Sequence, residues 1–227
     1  MATLFPTQVE AVLFDLDGTL LDSREDIAAA CNHALRSAGR AALPGAEIDT
    51  FVGDGARKLV SSAFRLDRDA PEVTEHLERF LAYYAEHPLD HGSFYPGTTE
   101  VLRALEGVKL GICTNKSSAI TRKILDKAGL GARFLSVIGG GDAGALKPNP
   151  APVLLACSEL GVSPERTIMV GDSEQDVLAA RAAGCYAIGI LGGFQSDARL
   201  LAAAPELTLE RFSALEAHVN AWPLLRS

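Results

Sequence analysis

The sequence predicts an α/β fold: a parallel sheet with helices on both faces, interrupted early by an all-helical insertion. Three observations carry this. A short apolar run, Ala11-Val12-Leu13-Phe14, opens onto a Gly-containing turn and reads as a buried strand. From about Leu21 to His91 apolar positions recur at helical spacing and no convincing strand occurs. From Tyr95-Pro96-Gly97 onward, strand-like and helix-like segments alternate, the pattern of parallel strands joined by crossover helices. The helical block thus separates the first strand from the second. It divides the α/β domain into residues 1–20 and 93–227 around an inserted bundle of residues 21–92.

Each element has its own signal. Ser23 is placed as an N-cap with Asp26 three residues on, and Ile27, Cys31, Ala34, Leu35 and Ala38 follow at helical spacing to Gly39. A short helix-like piece spans Glu47 to Phe51, and Gly53-Asp54-Gly55 makes a turn. Leu59, Val60, Ala63 and Phe64 form the stripe of a further helix, and Pro71 opens a longer one that fades near His87-Pro88. Beyond the insertion, Thr98 is placed as the cap of a helix through Leu105. Strands are expected at Lys109–Thr114, Phe134–Ile138, Thr167–Gly171, Tyr186–Leu191 and Leu207–Leu209. Between them, helices are capped by Ser117 or Ser118, by Asn149 with Pro150 at the first helical position, and near Asp176, with a last helix around Phe212 to Val219.

At 227 residues the chain can bury a real core as one large domain carrying an insertion, and 48% apolar with 22% charged residues is ordinary for a globular enzyme. The net charge of −8, with no run of Lys or Arg, excludes a nucleic-acid footprint, so an anionic substrate would need individually placed cations. Cys31, Cys113, Cys157 and Cys185 lie far apart in apolar contexts without metal-binding spacing, and read as buried thiols in a reducing compartment. The five histidines show no ligand spacing either. Residues 1–10 lack the features of a signal peptide, and no apolar stretch is long enough to span a bilayer. The expected protein is cytoplasmic, with no membrane or nucleic-acid partner, as a monomer or homodimer.

Ligands of open α/β sheets bind at the carboxyl ends of the strands. Four such ends here carry polar residues: Asp15 and Asp17; Thr114-Asn115; Lys147-Pro148, which follows the third strand; and Gly171-Asp172-Ser173 with Asp176 one helical turn on. Taken singly, each has an ordinary alternative. Asp15 to Gly18 can be an exposed turn and Thr114 a helix cap. Lys147 can be a solvated loop lysine, and Asp172 and Asp176 acids placed favourably at a helix N-terminus. Together and in order, they form the set needed to transfer a phosphoryl group to a carboxylate. A phosphate dianion repels an attacking carboxylate, and Mg²⁺, which demands hard oxygen ligands, offsets both charges. Asp15 and Asp172 can supply ligands, with a carbonyl near Asp17 as a third. Lys147, Thr114 and backbone amides can hold the remaining phosphoryl oxygens. Asp15 can then attack, while Asp17 protonates the leaving alkoxide and later takes a proton from water.

Asp15-Leu16-Asp17-Gly18-Thr19, Thr114-Asn115, Lys147-Pro148 and Gly171-Asp172-Ser173-Glu174-Gln175-Asp176 resemble the four ordered motifs of the haloacid dehalogenase superfamily, over nearly the whole chain. The resemblance implies a Rossmann-like core and a helical cap. It also implies Asp15 as nucleophile, Asp17 as acid/base, and Thr114, Asn115 and Lys147 as phosphate ligands. Mg²⁺ would be held by Asp15, Asp17 and Asp172, with Ser173 and Asp176 behind them. The dehalogenases that named the superfamily lack the second aspartate, so Asp17 implies phosphoryl chemistry. Within the superfamily the chain is most similar to phosphoglycolate phosphatases, through Asp22-Ser23, Phe51-Val52-Gly53-Asp54-Gly55 with Leu59-Val60, and Thr114-Asn115-Lys116. It departs from them at Gln175, where that subfamily often has Asn.

The implied activity is Mg²⁺-dependent hydrolysis of a small phosphorylated metabolite, 2-phosphoglycolate first. Sugar-phosphate phosphatases and pyrophosphatases share these marks. A phosphotransferase of the β-phosphoglucomutase kind shares every core residue. A non-catalytic sensor would require one of the two acids to be replaced, and both are present. A glycolate leaving group needs a cation for its carboxylate. Arg57 and Lys58, following Gly55, are expected at a helix start facing the core, and Lys116 is a further candidate.

Overall fold

The computed structural model describes residues 5–225. The chain runs through β1 (Ala11–Phe14), β2 (Leu21–Asp22), α1 (Arg24–Ser37), α2 (Gly45–Asp49), α3 (Ala56–Phe64) and α4 (Glu72–Glu86). It returns through β3 (Ser93–Phe94), α5 (Thr98–Ala104), β4 (Lys109–Cys113), α6 (Ser118–Lys127) and β5 (Ser136–Ile138). It ends with α7 (Ala151–Leu160), β6 (Thr167–Gly171), α8 (Glu174–Ala183), β7 (Tyr186–Ile190), α9 (Asp197–Ala202), β8 (Leu207–Leu209) and α10 (Leu215–Val219).

Six strands form one parallel sheet in the order β5-β4-β1-β6-β7-β8. β1 lies centrally, and its four side chains are fully buried. Val12 and Phe14 face one layer, with Val101 of α5, Ile124 of α6 and Leu215 of α10. Ala11 and Leu13 face the other, with Val153 of α7, Val177 of α8 and Leu200 of α9. A strand covered on both faces reads as a continuous apolar run rather than an alternating one, which is why β1 is visible in the sequence.

Helices α1–α4 pack on one another, chiefly α1 on α4 and α3 on α4. The expected strand-free block needs one correction. Its two ends pair as an antiparallel ribbon, Leu21 with Phe94 and Asp22 with Ser93. Beside the ribbon, Asp26 of α1 accepts the backbone N–H groups of Asp90, His91 and Gly92 at 2.9–3.1 Å. Asp26 therefore staples the returning chain to the outgoing one, where a capping partner for Ser23 was expected. Ser23 precedes α1 but makes no side-chain cap; its hydroxyl donates to Asp17. Likewise Gly97, not Thr98, precedes α5, and the Thr98 hydroxyl donates to the Tyr95 carbonyl at 2.8 Å. Helix α9 has no counterpart in the sequence reading. Among the described residues no helix is long and apolar enough to cross a membrane.

Candidate active site

Strand order reverses around β1: β4 and β5 lie on one side, β6 to β8 on the other. The crevice at the carboxyl ends of β4, β1 and β6 is therefore where a ligand binds in a sheet of this kind. Asp15 directly follows β1 and is still held in the ladder, its N–H donating to Val170 O at 2.9 Å. The chain then turns at Gly18, whose φ of +86° favours glycine. Space demands glycine as well, because a Cβ there would lie 2.3 Å from Asp172 Oδ2. A Cβ at Gly193, in the loop after β7, would lie 2.3 Å from the Asp172 side chain. Asp172 is thus enclosed by backbone from two loops. Thr19 Oγ1 donates to its Oδ1 at 3.1 Å, and the N–H groups of Phe194 and Gln195 donate to its Oδ2 at 2.7 and 3.4 Å.

Ligand oxygens of Asp15, Asp172 and Asp176, all buried, lie within 4.8 Å of one another. Asp176 sits in the first turn of α8 and forms a reciprocal cap with Ser173: the Ser173 N–H and hydroxyl donate to its Oδ2, and its own N–H donates to Ser173 Oγ. Lys147 enters from the loop after β5. Its Nζ donates to the Cys113 carbonyl at 2.6 Å and to Asp176 Oδ1 at 2.5 Å, and stands 3.0 Å from Asp15 Oδ1. Asn115 fixes the Lys147 backbone by accepting its N–H and donating to its carbonyl.

The cluster holds three carboxylates against one ammonium. Burial, countered by Lys147 but reinforced by Asp176 and Asp17, pushes the Asp15 carboxyl up to about 6. Burial together with Asp15 and Asp176 pushes Asp172 up to about 8, against the hydrogen bonds from Phe194 and Thr19. Lys147 is itself burdened by burial, yet its two carboxylate neighbours hold its pKa above the ordinary lysine value. Hard oxygen donors with uncompensated negative charge fit a divalent cation, and Asp15, Asp172 and Asp176 form the group that could hold one.

Asp17 lies outside this cluster. Its carboxylate pairs with Lys116 Nζ at 2.8 and 2.9 Å and accepts the Ser23 hydroxyl at 2.5 Å. Its side chain therefore belongs to a second, separate pair, apart from the backbone carbonyl near Asp17 that the sequence reading offers as an ion ligand. The Lys116 ammonium stands 4.3 Å above the Tyr84 ring, from α4.

These groups line a cavity of about 70 Å³ between the strand ends and helices α1, α3 and α4. Thr114 and Asn115 line its floor, and Gly55 lies on its helical side. The helical insert is fastened over it by the loop before α3. Asn115 Nδ2 donates to Gly53 O at 2.9 Å, Gln175 Nε2 to Asp54 Oδ1 at 3.0 Å, and Gln195 Nε2 to Val52 O. Gln175, the departure from the subfamily pattern, is thus a contact to the insert. The expected cavity-facing orientation of Arg57 and Lys58 is not met. The Arg57 guanidinium donates outward to Arg68 O and Thr74 Oγ1, and neither Arg57 nor Lys58 lines the cavity. One turn of α3 commits its inward positions to Leu59 and Val60, which leaves 57 and 58 outside. The sequence reading gave no role to Thr19, Phe194 or Gln195. Thr19 sits within the first motif, whereas the N–H groups of 194 and 195 carry no residue-type signal at all.

The sequence profile of the haloacid dehalogenase-like hydrolases matches residues 12–190, from β1 through β7. A phosphoglycolate phosphatase of Chromobacterium violaceum is 39% identical over 214 residues, covering 91% of this chain and 95% of its own. One of Neisseria meningitidis is 38% identical over 192 residues, covering 82% of each. The crystal structure of a predicted phosphoglycolate phosphatase from Haemophilus somnus superposes with a TM-score of 0.83 at 28% identity, over 93% of this chain and 98% of that one. With the profile running across the acidic crevice, the buried lysine and the helical insert, the chain belongs to the haloacid dehalogenase-like hydrolases.

Proposed function

We propose that the protein is a Mg²⁺-dependent phosphatase that hydrolyses a small phosphate monoester, 2-phosphoglycolate, through an aspartyl-phosphate on Asp15. The observation that carries this reading is the buried triad of Asp15, Asp172 and Asp176 with Lys147 at 3.0 Å from the Asp15 carboxylate. When bound, Mg²⁺ would offset the charge that keeps a phosphate dianion from a carboxylate. Asp15 and Asp172, with a backbone carbonyl near Asp17, would hold it, with Ser173 and Asp176 behind them. Lys147, Thr114 and Asn115 would steady the phosphoryl oxygens as charge moves onto them. Asp15 attacks phosphorus, and Asp17 gives a proton to the departing alkoxide and later takes one from the hydrolytic water. Residues 21–92 act as the cap that excludes bulk water during both steps.

Two features support a small leaving group. The cavity, about 70 Å³, is half the roughly 150 Å³ that accommodates a benzene-sized guest. Its helical wall presents Ile27, Leu59, Phe80 and Leu81, with the Tyr84 hydroxyl among them, few partners for the several hydroxyls of a sugar. The curated relatives carry the name phosphoglycolate phosphatase. The four buried free thiols suit a reducing cytoplasm.

The test is phosphate release with Mg²⁺ from 2-phosphoglycolate, hexose phosphates and pyrophosphate, beside an Asp15→Asn control. The reading expects 2-phosphoglycolate to be preferred and the Asp15→Asn substitution to reduce turnover by roughly a thousandfold or more. Preferred release from a hexose phosphate or pyrophosphate would replace the substrate. Isomerised sugar phosphate without free phosphate would replace hydrolysis with transfer, and undiminished turnover in the Asp15→Asn variant would remove the nucleophile.

A further inference from the structure

We propose that Lys116, with the Tyr84 hydroxyl beside it, is the receptor for a carboxylate on the leaving group, and that engaging this carboxylate frees Asp17 from its pair. This rests on the phosphatase reading above and names the residue that sets its substrate class. The cavity is lined by two cations, Lys116 and Lys147. Lys147 is committed at the strand ends to Asp15, Asp176 and the Cys113 carbonyl. Lys116 is on the side of the helical insert: its Nζ lies over the ring of Tyr84, and its side chain is only 7% exposed. The Tyr84 residue is 2% exposed, and its hydroxyl has no well-formed hydrogen bond.

The rest of that wall is apolar, so a carboxylate entering it loses its hydration. Burying an unpaired carboxylate costs several kcal/mol, roughly, which restricts it to the one cation within reach. The Lys116 ammonium and the Tyr84 hydroxyl, within reach of each other, are the donors that a carboxylate's two oxygens accept from. Asp17 now occupies Lys116, and Ser23 holds it there. In this arrangement both Asp17 oxygens are spoken for, and neither is free to serve a leaving-group oxygen. A substrate carboxylate that takes over Lys116 leaves Asp17 tethered by Ser23 alone. Phosphate esters with an uncharged tail cannot make this exchange, so the device discriminates for substrates with an acidic one.

The experiment compares 2-phosphoglycolate with ethyl phosphate, which has the same two-carbon tail without the carboxylate, in the wild type, Lys116→Met and Tyr84→Phe. The proposal expects the ratio of kcat/KM for the two substrates to fall by roughly ten- to a hundredfold in K116M, the worth of a charge-assisted contact. It expects a fall of at least severalfold in Y84F, mainly through KM for 2-phosphoglycolate. Y84F removes a hydroxyl without a good partner and keeps the ring, so it tests the idea even if K116M does not fold. A ratio within twofold of the wild type in either folded variant, with both substrates impaired alike, would assign these residues to holding Asp17 and overturn the inference alone. A wild type that hydrolyses ethyl phosphate but not 2-phosphoglycolate would overturn the functional reading first and this inference with it.

Discussion

Removing the buried ammonium tests the electrostatic design of the site most directly. Lys147 is 2% exposed in its side chain and lies within 3.0 Å of both Asp15 and Asp176. Lys147→Met keeps the length and apolar stem but leaves three carboxylates with no cation among them. Breaking a buried ion pair by deleting one partner costs about 3–5 kcal/mol. For a chain of this size each kcal/mol shifts Tm by about 2–4 °C, so the melting temperature should drop by about 6–20 °C. The assay is thermal unfolding of wild type and K147M with a chelator present, at several pH values. In the variant the stranded carboxyl groups have folded pKa values raised above those of the unfolded chain. The folded state therefore binds protons more tightly, and its stability falls as pH rises through that window. The deficit relative to the wild type should thus be largest near pH 8 and shrink toward pH 5, and Mg²⁺ should restore part of it near pH 8. A Tm within 2 °C of the wild type near pH 8, or a deficit that grows on acidification, would refute the view that Lys147 balances a charged cluster.

The wild type without metal should show the same sign in milder form. Asp15 and Asp172 are raised from 3.8 to about 6 and about 8, so their contribution is complete below about pH 4 and lost progressively toward pH 8. Calorimetry with chelator should therefore show Tm falling from pH 5 to pH 8, and saturating Mg²⁺ should flatten the profile. Gly18→Ala places a methyl 2.3 Å from Asp172 Oδ2 at a φ of +86°, adding about 1–2 kcal/mol of backbone strain to a displaced carboxylate. It should lower Tm and abolish the stabilisation by Mg²⁺; retention of both would show that Asp172 has room to move. Gln195→Ala removes the hydrogen bond to the Val52 carbonyl. Amide exchange in residues 52–56 should then quicken by roughly fivefold, about 1 kcal/mol, while that of β1 stays as it was.

The sheet was legible chiefly through its central strands, such as Ala11–Phe14 before Asp15 and Thr167–Gly171 before Asp172, which are buried on both faces and need no alternation. The ribbon of Leu21–Asp22 with Ser93–Phe94 was not, because two residues carry no period. Helix α9 escaped for a related reason: six residues after a Gly-Gly loop offer too few turns for a stripe. Ser23 and Thr98 looked like helix caps on residue type alone, but their hydroxyls had better-placed acceptors in Asp17 and the Tyr95 carbonyl. In the site, Asp15, Thr114, Asn115, Lys147, Asp172 and Asp176 could be read because each follows a strand end whose position the sequence marks. The helical side could not be read in the same way. Whether Arg57 faces the cavity depends on how α3 is rotated against α1 and α4, and whether Lys116 meets the insert depends on where α4 brings Tyr84, both matters of packing between segments distant in the chain. The backbone donors of Phe194 and Gln195 were invisible, since almost any residue supplies an N–H.

The paired crossing at Leu21–Asp22 and Ser93–Phe94 means that the helical block leaves and rejoins the catalytic floor through neighbouring backbones, about 5 Å apart. Such a block is a cassette. Asp26 keeps its two tethers together, and such a block can be exchanged for another of different shape without re-registering a single strand of the sheet beneath. The block brings Tyr84 to the cavity while Lys116 stays with the sheet, so a graft of residues 23–92 from a relative should replace the helical wall and leave Lys116, Asp15 and Lys147 where they are.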